Sequence, residues 1–401
     1  MTRELEAADN PIVAERSSAA PWSYLTVLWL PLLAFRIYMF FLSSPQGDFI
    51  TYWAAGHLFL THGDPYSAAA TFSIERAYGW TLPQPYVTFC PPWTLPLQSL
   101  MALLPFHAAK TVWFVLSLLL NAFSAIALWN YFGGERRKAW ISILVCLTFL
   151  PMGGAELLGQ ITPLILASLT AFLLLVRSRH YFAAGLALYG FGPKPHLLYL
   201  VLLAILCWVV ANRAWSILVG AAAIYGAATA AAILFNAHSL GYFHATFGAA
   251  IGISCGIGGA LRSVFGVQHT WMQFVPSMVG AGWFAFYWMK HRRHWDWPTQ
   301  IPLLLIVSVC TAPYCWYHDF ILILPALVAM AVQGGYRHAW VLAAYLATQA
   351  IVIVTVQWSV AWMCVASLLW IAVYRLAGAA PISRAGFHAD DKLARSTMRP
   401  S

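Results

Sequence analysis

The chain has 401 residues, of which 61% are hydrophobic and 9% are charged, with a formal net charge of +9. A soluble domain carries about 25% charged residues, so a soluble enzyme is excluded at the outset, as is a transmembrane barrel, which would show alternating ten-residue segments. The mean hydropathy of +0.71 comes from long apolar runs, and such runs must be helices in lipid, where the backbone satisfies its own hydrogen bonds.

Residues 1–21 hold four acids and two bases. This is not the positive n-region of a cleavable signal, so they read as a cytoplasmic N-terminal segment before an uncleaved first helix. Trp22 to Leu42 contains one charge, Arg36, and residues 215–235 and 339–374 contain none. The apolar runs predict an all-α polytopic protein with about twelve transmembrane helices. They fall near 22–42, 108–131, 139–152, 161–176, 181–192, 197–211, 215–235, 271–290, 300–313, 320–333, 339–357 and 359–376. Residues 22–376 thus form one membrane body, and 377–401 a polar, basic cytoplasmic tail. The short runs fit a deep water-filled cavity.

With the N-terminus inside, seventeen of the 22 Lys and Arg residues fall on the cytoplasmic side. Only Arg76, Lys110, Lys194 and Arg262 fall outside, and Arg36 lies within a helix. This is the positive-inside pattern of a multi-pass cell-membrane protein. The positive charge then calls for anionic headgroups as partner and for no nucleic acid. The seven cysteines contain no CxxC pair and read as apolar filler rather than as metal ligands.

Chemistry, where the sequence suggests it, collects on the outer side. The first outer loop, 43–107, begins with Gly47-Asp48-Phe49 and Tyr52-Trp53. At helical spacing Phe49, Trp53, Gly56 and Leu60 form one stripe, which predicts an interfacial helix with its aromatic face in lipid. Asp48 starts that helix and reads equally as a cap. Residues 83–105 carry Pro83, Pro85, Pro91, Pro92, Pro96 and Pro105, which predicts a re-entrant or surface-lying element covering a cavity. Further along, Glu156 and Gln160, Lys194 with His196, Arg262, and His318-Asp319 all border apolar runs on the same side, where an isolated charge is costly and functional by default. No GxxxxGK[ST] or GxGxxG run is present, so a nucleotide does not supply the energy. An activated lipid would.

The blocks Gly47-Asp48-Phe49 with Tyr52-Trp53, Gly63-Asp64-Pro65-Tyr66, Pro91-Pro92, Gly159-Gln160, Gly185 with Lys194-Pro195, Arg262-Ser263 and Pro313 with Trp316 and His318 resemble glycosyltransferase family eighty-seven. That is a group of polyprenyl-phosphate-mannose-dependent α-mannosyltransferases of the GT-C fold class. The resemblance spans about residues 45–330. Phe89-Cys90 stand before the proline pair where the family often has Tyr, and Thr162-Pro163 follow Gly-Gln where it often has Asn.

The resemblance implies a membrane glycosyltransferase acting on the extracytoplasmic face. It would move a hexose, by family default mannose, from a polyprenyl-phosphate donor to a lipid or glycan acceptor with inversion. It needs no cofactor and no metal. Asp48 would be the general base. Lys194, Arg262 and His318 are candidates for the donor phosphate, and Tyr52, Glu156, Gln160, His196 and Asp319 for sugar or acceptor. The scheme requires Asp48 and Lys194 to share one cavity, roughly 8–14 Å apart. A transporter or lipid flippase, with a midplane site between related halves, and a non-enzymatic assembly factor are the alternatives.

Overall fold

A computed structural model of the chain describes residues 22–43, 47–86, 89–248, 252, 254–333, 338–357 and 362–376. The N-terminal segment 1–21 and the basic tail lie outside the described residues. Everything regular among the described residues is helical.

The chain opens with α1 (Trp22–Leu42), α2 (Asp48–Leu60), α3 (Ala68–Ala77) and α4 (Leu95–Ala102), followed by the long α5 (Phe106–Tyr131). Next come α6 (Trp140–Thr148), α7 (Leu150–Leu158), α8 (Thr162–Arg177), α9 (Tyr181–Ala187), α10 (Tyr199–Asn212) and α11 (Ser216–Phe235). The remainder is α12 (Gly241–Gly248), α13 (Ile257–Phe265), α14 (Val275–His291), α15 (Trp297–Thr311), α16 (Leu324–Gln333), α17 (His338–Gln357) and α18 (Met363–Leu376). Short 3-10 turns at Pro92–Thr94, Pro195–Leu198 and Tyr317–Ile323 lead into α4, α10 and α16.

Proline sets many of these starts. α4, α7, α8, α14 and α15 each carry Pro in their first two positions, where the missing N–H costs nothing and the fixed φ favours the helix. This is why the apolar runs break into short helices. By length and composition, three helices among the described residues can cross a bilayer: Phe106–Tyr131, Pro195–Asn212 and Ser216–Phe235. Arg136–Thr148 and Leu150–Leu158, bent by 59°, form a fourth if taken as one broken span. Seven further apolar helices are shorter.

The α6–α7 break is held by a charge from α1. Arg36 donates through Nη2 to two carbonyls at the break: that of Leu147 (2.7 Å), which the missing N–H of Pro151 leaves without its helical donor, and that of Phe149 (3.2 Å), which also accepts the first N–H groups of α7. Its Nη1 meets Glu156 Oε2 at 2.6 Å, and Asn121 Nδ2 donates to Glu156 Oε1 at 2.8 Å. Arg36 and Glu156 are 6% and 2% exposed, so both charges are matched inside the protein, which a buried ion requires.

The segment read as the first outer loop corrects one expectation. The aromatic stripe of α2 does not face lipid. Phe49, Trp53 and Gly56 are buried. Phe49 packs near Phe106 and Trp113, and Trp53 Nε1 donates to Leu104 O at 3.0 Å. A side chain on Gly56 would overlap Gln98 O, at 2.3 Å, so α2 and α4 cross at backbone contact. The proline-rich stretch supplies the packing surface that the stripe was expected to find in lipid.

Candidate active site

The N-terminus of α2 and the C-terminus of α7 are built against each other. A Cβ on Gly47 would lie 2.9 Å from Leu158 O. Gly159 ends α7 in the left-handed region, with φ +65, a conformation that favours glycine. A Cβ there would lie 2.4 Å from Phe49 Cβ. Trp113 Nε1 donates to the carbonyls of Gly159 and Gln160, at 3.1 and 3.2 Å. The Gly47-Asp48-Phe49 and Gly159-Gln160 blocks are thus two halves of one joint, which presents Asp48 and Gln160 to the same space.

Lys194 comes from the turn before α10. Its Nζ donates to Gln160 Oε1 at 2.9 Å and to Asp319 Oδ1 at 2.8 Å. Tyr52 hydroxyl also approaches Gln160 Oε1, at 3.4 Å. Asp319 is fully buried and is fixed by the backbone N–H of Trp316, which donates to Oδ2 at 2.9 Å. Burial works against the charge on Lys194. The charges of Asp319 and Asp48, together with the Asp319 hydrogen bond, outweigh it and hold the lysine pKa above its ordinary value. An ammonium has three donors; with two committed, the third remains for a ligand.

These groups surround a cavity of about 410 Å³, within the range of about 300–1,000 Å³ for small-molecule sites. Asp48, Tyr52, Gln160, Lys194, His196 and His318 all line it, from elements far apart in the chain. The structure also lines it with Thr51, Tyr86, Cys90, Tyr314 and Trp316. Three of its lining side chains have buried polar atoms that make no hydrogen bond among the described residues: Thr51 Oγ1, His196 Nε2 and both ring nitrogens of His318. Orphaned buried polar atoms are costly, and here they face one space. Asp319 lies beneath it, with its Oδ1 3.8 Å from His318 Nε2.

Three candidates do not line the cavity: Asp319, which binds Lys194 behind it, Glu156 and Arg262. Glu156, on α7, is held by Arg36 and Asn121, and the left-handed turn at Gly159 separates Gln160 from that helix. Arg262, on α13, donates to Val267 O at 2.7 Å and to Gln273 Oε1 at 3.1 Å. It does not line the cavity; Gln273 in turn donates to Gly252 O, and Gly252 does.

Tyr86 escaped the sequence reading. Its hydroxyl donates to Asp48 Oδ1 at 2.6 Å; it is the one tyrosine of the proline-rich stretch 83–105, but nothing in the string points it toward Asp48. Beside the cavity, and sharing Pro195 with it, runs an almost wholly apolar groove of about 780 Å³. Trp93, Gly192, Leu202, Tyr225 and Ile233 are among its walls.

Residues 89–333 match the family described as glycosyltransferase family 87. The chain belongs to glycosyltransferase family 87. It is therefore an enzyme, a membrane glycosyltransferase. The family 87 match covers Gln160, Lys194, His196, His318 and Asp319 and begins after Asp48, Tyr52 and Tyr86. Comparison of this family 87 chain with curated proteins and with solved structures gives no match.

Proposed function

We propose that this family 87 enzyme transfers a hexose, mannose foremost, from a polyprenyl-phosphate sugar to a lipid or glycan acceptor. Transfer takes place with inversion on the extracytoplasmic face. The observation that carries the reading is the single cavity in which a carboxylate, Asp48, and a lysine with a donor to spare, Lys194, stand among orphaned hydroxyl and imidazole groups. The charge split between the loops supports the outward orientation. A GT-C body of about twelve spans goes with the family resemblance.

Asp48 accepts the proton of the acceptor hydroxyl as the oxygen bonds to the anomeric carbon. The bond from that carbon to the phosphate oxygen breaks on the opposite face, and its electron pair leaves with the lipid phosphate. Phosphate is already a good leaving group and needs mainly charge stabilisation, which Lys194 gives as a point charge on a flexible stem. His318, which lines the same cavity with both ring nitrogens unbonded, adds a hydrogen bond to that phosphate. Thr51, Tyr52, Gln160 and His196 are left for hydroxyls of the sugar or acceptor, with Asp319 holding Lys194 in place. The apolar groove, which shares the lining residue Pro195 with the cavity, suits the isoprenoid chain.

The test is incorporation of labelled hexose from a synthetic polyprenyl-phosphate donor into native lipid extract, wild type against Asp48→Asn. An amide keeps the shape and cannot take the proton, so turnover should fall by about 10²-fold or more while labelled donor is still retained. Near-normal turnover would reduce Asp48 to an acid in the first turn of α2, whose N-cap is Gly47. Turnover with a nucleotide sugar in place of the lipid donor would overturn the donor class.

A further inference from the structure

The loop between α3 and the proline pair is built with unusual care. Arg76 donates to the carbonyls of Trp80 (3.0 Å) and Leu82 (2.9 Å). Trp80 Nε1 donates to Gln84 O at 2.9 Å. The rings of Trp80 and Tyr86 lie parallel within 5°, centroids 6.0 Å apart. Glu75 is fully buried, and both of its carboxylate oxygens accept from one group, the backbone N–H of Tyr86, at 3.2 and 3.1 Å. Burial raises the Glu75 carboxyl above its ordinary value, and that N–H works against the rise. A buried acid is an expensive way to hold a loop, and the residue it holds reaches Asp48.

Tyr86 is 36% exposed as a residue, but its hydroxyl is turned into the cavity. Desolvation there, and then the Asp48 charge, push the phenol far above its ordinary value. It stays protonated and is the donor in the 2.6 Å bond to Asp48 Oδ1. A short hydrogen bond to a carboxylate is among the stronger kinds.

We propose that Tyr86 is the positioning residue of the base: its hydroxyl fixes one oxygen of the Asp48 carboxylate so that the other meets the acceptor, and Glu75 sets Tyr86 for that task. The proposal rests on Asp48 being the base. The carboxylate starts α2, and Oδ1 is occupied by the phenol. A carboxylate has about four lone-pair sites, so Oδ2 can accept the incoming proton while Oδ1 stays held. Without the phenol the carboxylate can rotate, and the productive orientation becomes one of several, which lowers turnover rather than substrate affinity.

The experiment uses the purified full-length enzyme with the synthetic lipid donor and compares Tyr86→Phe, Glu75→Ala, their double variant and Asp48→Asn. Tyr86→Phe keeps the ring on Trp80 and should lower kcat by about 10- to 100-fold. Donor KM should stay within about twofold and the melting temperature should be unchanged. Glu75→Ala should lower kcat in the same direction, and the double variant should be no slower than Tyr86→Phe alone, because Glu75 acts through Tyr86. Unchanged kcat in Tyr86→Phe, or a rise in KM alone, overturns the proposal. Multiplicative losses in the double variant overturn the role of Glu75. If Glu75→Ala does not fold, Tyr86→Phe still decides the matter. Asp48→Asn at near-normal turnover sinks the base itself, an outcome distinct from a silent Tyr86→Phe.

Discussion

Replacing Glu156 by Gln separates structure from catalysis at a residue whose sequence context points to both. The amide preserves volume but removes the charge that Arg36 meets at 2.6 Å. It also turns an N–H toward either Arg36 Nη1 or Asn121 Nδ2, both donors to the present carboxylate. Arg36 keeps the carbonyls of Leu147 and Phe149 but becomes an uncompensated charge at 6% exposure. Breaking a buried pair from one side costs about 3–5 kcal/mol. At about 2 °C or less per kcal/mol for a chain of this size, the apparent melting temperature in detergent should drop by about 5–10 °C. Arg36→Met should do the same. The double variant Arg36→Met with Glu156→Leu should lie closer to wild type than either single change, since removing both charges leaves no unpaired ion. The fraction that stays folded should retain lipid-donor turnover, because Glu156 does not line the cavity. A Glu156→Gln protein that melts like wild type yet has lost turnover would refute this reasoning and return Glu156 to the substrate.

Two further outcomes follow from the joint and from the charge pattern. Gly159→Ala forces φ +65 on a residue with a Cβ and drives that Cβ to 2.4 Å from Phe49 Cβ. It should cost about 1–3 kcal/mol in strain and reduce turnover by more than about tenfold by moving Gln160 and Asp48 apart; wild-type kinetics would show that the joint does not position the site. Ser67→Cys should react with an impermeant thiol reagent from outside intact cells and Arg137→Cys only after permeabilisation. Labelling of both from the same side would refute the orientation.

Much of the fold is legible in the sequence because lipid leaves the backbone few choices. A long uncharged run such as 215–235 must be a helix, and α11 occupies Ser216–Phe235. The prolines at the helix starts also announce the short elements. The family is legible too: residues 89–333 match it, a span that holds Gly159-Gln160 and Lys194-Pro195 and begins after Gly47-Asp48-Phe49.

Partnership is what the string does not hold. Lys194 reads as a lone charge until the fold sets it between Gln160 and Asp319. Glu156 and Gln160 are four residues apart, a spacing that puts side chains on one face of a continuous helix. One left-handed glycine between them ends the helix; the first residue meets Arg36 and the second lines the cavity. The stripe of α2 carries the same apolar signal whether it meets lipid or protein, because hydrophobic burial is non-directional. Tyr86 could not be chosen among its neighbours, since only the loop built on Glu75 and Trp80 brings its hydroxyl to Asp48. Composition and periodicity determined that this chain is a helical membrane protein; which charges neutralise one another and which are left to meet a substrate depended on distances that only the tertiary structure creates.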